Sequence, residues 1–165
     1  MVRIGLISDT HGSMYDGIWS FFSECDEIWH AGDIGSLEFL EKLNAFKKVR
    51  AVYGNIDDYN MRMRAKEVNS FRIESHKVVI LHISGYPDRY SPEAKRLITK
   101  EKPTILVGGH SHILKVIYDK KNNLLHLNPG AAGHSGFHTK ITALRFVIDG
   151  REIRDMEILE HERRD

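Results

Sequence analysis

The first fifty residues alternate short apolar runs with stretches of helical period, and this alternation limits the fold more than any other feature. Residues 3–8 (RIGLIS) read as a buried strand, and 16–24 as a helix with Ile18, Trp19 and Phe22 on or near one face. Residues 27–31 read as a second strand. A helix over 37–46 follows with Ser36 as its N-cap, and 49–53 forms a third strand. A parallel neighbour cannot be reached by a tight turn, so three strands joined by two helical crossovers pair in parallel. The chain therefore opens as a βαβαβ layer.

Beyond residue 70 the pattern changes. FRIE (71–74) and KVVILHI (77–83) flank Ser75-His76 as a hairpin. Ser91-Pro92-Glu93 opens a helix with serine as N-cap, proline in the first helical position and an acid in the first turn. Residues 104–107 form another core strand. Two further hairpins follow, ILKVIYD with LLHLN around KKNN, and TALRFVID with EIRDMEIL around a turn at Asp149-Gly150. The polar tail EILEHERRD is expected to fray. Parallel units first and hairpins later imply two sheets stacked face to face with helices outside.

With 165 residues the chain fits one domain, 1–165, and buries a core without disulfides. Hydrophobic residues at 41% and charged ones at 28% exclude the disordered and membrane-spanning classes. The net charge of +1 supplies no field toward nucleic acid or membrane, and the clusters at 47–48, 62–64 and 120–121 read as solvated faces or turns. Cys25 is the single cysteine and reads as an apolar filler. The opening apolar run is too short for a signal-peptide core and ends in Asp9 and His11, which places the protein in the cytoplasm.

The polar residues collect at strand ends. Asp9 and His11 follow the first strand, Asp33 follows the second after Gly32, and Asn55 follows the third after Gly54. His82 ends the strand KVVIL, and His110 and His112 follow TILV in the block GGHSH. In an open α/β sheet these carboxyl ends form one rim, where ligands bind. The set holds two Asp, one Asn and four His with no Cys, which excludes thiolate sites and iron–sulfur clusters. Seven donors exceed the four of one zinc ion, and carboxylates bridge, so two ions are the economical reading. Paired ions clamp both oxygens of an in-line displacement at phosphorus, the chemistry of a hydrolase.

The ordered blocks Asp9-Thr-His11, Gly32-Asp33, Gly54-Asn55 and Gly109-His110-Ser-His112 resemble the calcineurin-type metallophosphoesterases. "WHAGDIG", "VYGNID" and "LNPGAAG" further resemble the compact bacterial and archaeal phosphodiesterase subgroup. The resemblance implies a four-layer α/β/β/α sandwich of two mixed sheets, the metallo-dependent phosphatase fold. It implies that Asp9, His11 and His112 hold one metal and that Asn55, His82 and His110 hold a second, with Asp33 as the bridge. Two divalent transition-metal ions would be bound, manganese first, with zinc, iron or nickel as alternatives. A bridging hydroxide held at Asp33 would attack a phosphodiester while Asn55 helps stabilise the phosphoryl oxygens. The alternative is a non-catalytic interaction scaffold, since the fold resembles that of a retromer subunit that works through protein contacts.

The chain departs from the family pattern at two places. Many members carry a histidine after the asparagine that is implicated in protonating the leaving group, and Ile56 stands there. The second-metal histidine usually lies in a His-Gly-His block, whereas this chain reads His82-Ile83-Ser84. Asp57 is expected as a hydrogen-bond acceptor behind the ligands. His134 and His138, beside the glycine-rich block, are candidates for contact with a substrate phosphate. His30 reads as a packing residue, and solvent or packing explains His76 in its hairpin turn and His126 on a strand face. The expected partner is a small phosphate ester, and homo-oligomerisation stays open.

Overall fold

The computed structural model describes residues 1–163. Its elements run β1 (Val2–Ile7), α1 (Gly17–Phe21), β2 (Glu27–His30), α2 (Leu37–Phe46), β3 (Lys48–Ala51), α3 (Tyr59–Arg62), β4 (Val68–Ile73) and β5 (His76–Leu81). They continue with β6 (Gly85–Tyr86), β7 (Arg89–Tyr90), α4 (Pro92–Glu101), β8 (Ile105–Val107), β9 (Leu114–Asp119), β10 (Leu124–Pro129), β11 (Lys140–Asp149) and β12 (Glu152–Glu162).

One sheet has the order β12-β11-β1-β2-β3 and the other β4-β5-β8-β10-β9. Strands β1, β2 and β3 are parallel, as the two crossovers require, and β11 joins β1 antiparallel. The second sheet is more mixed than the hairpin reading allows. The hairpins β4–β5 and β9–β10 form as expected, but β8 lies between them and pairs parallel with both β5 and β10. Those contacts join segments far apart in sequence, which local patterning does not report.

Three apolar layers make the fold a four-layer α/β/β/α sandwich. Between the sheets lie Ile4, Leu6, Trp29, Val78, Ile80, Ile105, Val107, Leu127, Leu144 and Phe146. Ile18, Phe22, Phe39, Leu40 and Leu43 cover the outer face of the first sheet, against Ile7, Ile28 and Ala143. Ala94 and Leu97 of α4 cover the second, against Val79, Leu81, Leu106 and Leu124. The central strands are thus buried on both faces, which is why β1, β2, β5 and β8 read as continuous apolar runs. Trp29, packed edge-on against Phe71 and Phe146, is fully buried, and its truncation to alanine would cost about 3–5 kcal/mol.

Both expected caps are present: the Ser36 hydroxyl accepts from Phe39 N at 3.2 Å and the Ser91 hydroxyl from Ala94 N at 3.1 Å. Three expectations are corrected. Helix α1 stops at Phe21, without a side-chain cap. The last hairpin turns at 150–151, with Asp149 opposite Glu152. The tail does not fray through Glu162, because β12 pairs along β11 as far as Lys140 opposite Glu162. There Leu159 packs on the outer core and Met156 on the inner one. Residues 164 and 165 lie outside the described residues.

Candidate metal centre

Five strand ends converge. The loops after β1, β2, β3, β5 and β8 deliver Asp9 and His11, Asp33, Asn55, His82, and His110 and His112. Turning this many side chains back toward one point strains the backbone. Asp9, His11, Asp33, His110 and His112 have φ of 56°, 49°, 57°, 70° and 62°, in the left-handed region that ordinary side chains avoid. Such outliers persist where surrounding structure imposes them, and they cluster at functional sites.

The donors form two groups, Asp9, His11 and His112 in one and Asp33, His82 and His110 in the other, with ligand atoms in each within 4.8 Å of one another. Asp33 Oδ2 lies between them, 3.7 Å from His11 Nε2 and 3.3 Å from His82 Nε2. Asn55 Oδ1 is 3.1 Å from His110 Nδ1, so the asparagine joins the second group. Each carboxylate has one oxygen tied to the protein. Asp9 Oδ2 accepts from the Ser8 hydroxyl at 2.6 Å and His110 N at 3.0 Å, while Oδ1 faces His112 Nε2 at 3.2 Å. Asp33 Oδ1 accepts from Ile56 N at 3.1 Å, leaving Oδ2 for the cluster.

The unpartnered atoms test whether a cation fits. Among the described residues, the buried side-chain atoms without a hydrogen-bond partner include Asp9 Oδ1, His11 Nε2 and His82 Nε2, all facing the same space. Buried polar groups are normally paired. Oxygen and imidazole donors around a common gap suit a divalent transition metal. His82 shows how its donor is aimed: Nδ1 lies 2.7 Å from the Ala31 carbonyl, which can only accept, so Nδ1 carries the hydrogen and Nε2 is bare.

Electrostatics follow this geometry. Burial opposes ionisation of Asp9, but the adjacent His112 ring, the nearby His82 and the Ser8 hydroxyl hold its pKa down at about 2. Burial also disfavours a charged His82, yet the Asp33 carboxylate beside it and the nearby Asp9 raise its pKa above the ordinary value.

Residues behind the donors hold the loops together. The buried Asp57 carboxylate accepts from Ile34 N at 3.1 Å, Gly35 N at 2.9 Å and Gly54 N at 2.8 Å, joining the loops after β2 and β3. Gly54 must stay small, because a Cβ there would lie 2.0 Å from Asp33 Oδ1. His30 accepts from Gly32 N through Nδ1 and meets the Thr10 hydroxyl at 2.9 Å through Nε2, and Thr10 donates on to Ile34 O. Burial pushes its pKa down to about 4, which keeps it neutral for this role. Asn128 donates to Gly109 O and to the Ser111 hydroxyl, bracing the GGHSH loop. Sequence reading missed Ser8, Thr10 and Asn128; Asn128 stands in the quoted LNPGAAG block, which was its available signal.

A cleft of about 530 Å³ opens over the donors, lined by His11, Asp33, Asn55, His110 and His112, with Ile56, Ile113 and Phe137 beside them and, among the described residues, no lysine or arginine. His138 lines it too, but both its ring nitrogens are engaged within the protein, with His112 Nδ1 and Gly133 O. His134 is exposed and is not among the lining residues. Away from the cleft, His76 bonds Thr104 and Arg151 O, His126 is buried, and His161 stacks on Tyr15.

This fold and site are those of a metallophosphoesterase: residues 2–151 match the calcineurin-like phosphoesterase superfamily domain, and the chain belongs to that family. It is 29% identical over 161 residues to a probable metallophosphoesterase of Methanothermobacter thermautotrophicus, covering 94% of this chain and 91% of that one. A second relative, a probable metallophosphoesterase of Methanocaldococcus jannaschii, is 34% identical over 137 residues, 78% of this chain and 67% of the other. Among solved structures, Vps29 of Entamoeba histolytica shares the fold with a TM-score of 0.78 at 16% identity, covering 97% of this chain and 98% of that one. No helix among the described residues is long and apolar enough to cross a membrane.

Proposed function

We propose that the chain is a dinuclear metal-dependent phosphodiesterase. The observation that carries this is the position of Asp33 Oδ2 between two donor groups whose buried atoms Asp9 Oδ1, His11 Nε2 and His82 Nε2 lack partners. Asp9, His11 and His112 would hold one ion and Asn55, His82 and His110 the other, with Asp33 shared. Bound divalent ions supply Lewis acidity, activating water and neutralising charge on phosphoryl oxygens. Manganese is our first choice, with zinc, iron or nickel as alternatives.

The chain's own part is to fix these donors on strained, cross-braced loops, so that little reorganisation accompanies reaction. Preference for diesters is supported by the cleft lining. Among the described residues that line the cleft there is no lysine or arginine to balance the second charge of a monoester, and Ile56, Ile113 and Phe137 suit an apolar ester group. Convergence of all seven donors favours hydrolysis over the scaffold alternative. The lone, buried Cys25 fits a reducing compartment, and we place the protein in the cytoplasm.

The test is hydrolysis of bis(4-nitrophenyl) phosphate and 4-nitrophenyl phosphate by manganese-loaded protein, with elemental analysis of the same sample. Two ions per chain, faster diester turnover and loss of both activities on chelation are expected. A single tightly held ion in fully active protein would overturn the dinuclear reading.

A further inference from the structure

We propose that His138 is a positioning residue that sets the tautomer of His112 and so aims His112 Nε2 at the metal centre. This rests on the metal-centre reading above. The chain of reasoning starts at a backbone carbonyl. His138 Nε2 lies 2.9 Å from Gly133 O, which can only accept, so Nε2 carries a hydrogen. A neutral His138 then presents a bare Nδ1. That nitrogen is 3.1 Å from His112 Nδ1, so the hydrogen between the two rings belongs to His112. His112 Nε2 is left with its lone pair directed at Asp9 Oδ1, 3.2 Å away. Two electron-rich atoms at that separation need a cation between them, a proton or a metal ion.

The arrangement is built into the loop. His138 is 8% exposed, and the imidazole–imidazole bond is partly buried. The two rings meet edge to face with centroids 5.0 Å apart. A Cβ at Gly136 would fall 2.4 Å from the His112 ring, so the loop can close over both rings only with glycine there. His82 is aimed the same way, by the Ala31 carbonyl directly. At His112 the Nδ1 partner is His138 rather than a carbonyl, and His138 carries the directing effect of Gly133 across one further ring.

The test compares His138→Leu with His138→Asn, two side chains of similar size of which only asparagine can accept from His112 Nδ1. In metal-free wild type, nitrogen-15 NMR of His112 is expected to show a hydrogen on Nδ1, whether or not a second proton stands in for the metal ion between Nε2 and Asp9 Oδ1. The Leu variant moves the population toward Nε2–H, the form free imidazole side chains favour, and the Asn variant restores it. Titration with Zn²⁺ against a chromophoric chelator should show one of two affinities weakened about 10–100-fold by Leu and largely restored by Asn, with the other unchanged. Wild-type His112 with no hydrogen on Nδ1, or equal zinc affinities in the two variants, would reduce His138 to a packing residue and overturn the proposal. A wild type that binds no Zn²⁺ would instead sink the metal-centre reading. The tautomer measurement on the wild type decides the role of His138 in either case, and it requires no variant to fold.

Discussion

His126 offers a prediction whose size follows from its surroundings. It lies on β10, fully buried, on the face covered by α4, with Tyr90 edge-on to its ring and, among the described residues, no hydrogen-bond partner at either ring nitrogen. Burial, with a smaller contribution from the Lys115 charge, lowers its pKa from 6.5 to about 4. Between those values the unfolded chain holds the proton and the native state does not, so stability falls as pH falls from 6.5 toward 4. Above 6.5 neither state is protonated and the effect vanishes. Each pH unit in the window is worth about 1.4 kcal/mol, or about 3 kcal/mol across it. His30 has a similarly lowered pKa and adds a parallel loss. Together these rival the whole stability of an ordinary domain, about 5–15 kcal/mol. In His126→Phe one of the two contributions disappears, and an unsatisfied polar ring is exchanged for an apolar one of similar shape. Urea unfolding of both proteins in chelator, at pH 7.5, 6.5, 5.5 and 4.5, should show the variant about 1 kcal/mol more stable at the top of the range. Its advantage should grow by nearly 3 kcal/mol by pH 4.5. An advantage that does not change with pH would refute the assignment of His126 as a buried neutral base.

Gly54→Ala places a Cβ 2.0 Å from Asp33 Oδ1 and should displace that carboxylate, lowering turnover by about 10²-fold while the fold persists by circular dichroism. Asp57→Asn exchanges a charged acceptor of three backbone hydrogen bonds for a neutral amide, and should cost about 2 kcal/mol or more in urea unfolding as well as activity. Ile56 lines the cleft beside Asn55, so Ile56→His should flatten the dependence of rate on leaving-group pKa across substituted phenyl diesters. The gain is greatest for poor leaving groups, up to about 10²–10⁴-fold for a well-placed acid, and an unchanged slope would show that the imidazole misses the departing oxygen.

The legibility of the chain followed the range of its interactions. Strands β1 and β2 and helix α2 were readable because buried strands are short apolar runs and Ser36 is an explicit cap. The donors were readable because each directly follows a strand, and strand ends share a rim. What was hidden depends on distant pairing. The insertion of β8 between β5 and β10 leaves no local periodicity. The tail was obscured because mostly polar residues belong to an edge strand, with a bulge at Asp155, φ 56°, shifting its register. His138 lies in a loop without repeating pattern, and only the fold brings it 3.1 Å from a residue 26 positions earlier.

The left-handed backbone at Asp9, His11, Asp33, His110 and His112 changes what an alanine scan of this centre would measure. Alanine at such a position removes the donor but keeps a Cβ in a conformation that costs roughly 1 kcal/mol, whereas glycine removes the donor and relaxes the chain. Stability differences between paired glycine and alanine variants would therefore report backbone strain separately from lost ligation. Asn55 and His82, whose φ is not positive, are the internal controls in which glycine should bring no such relief.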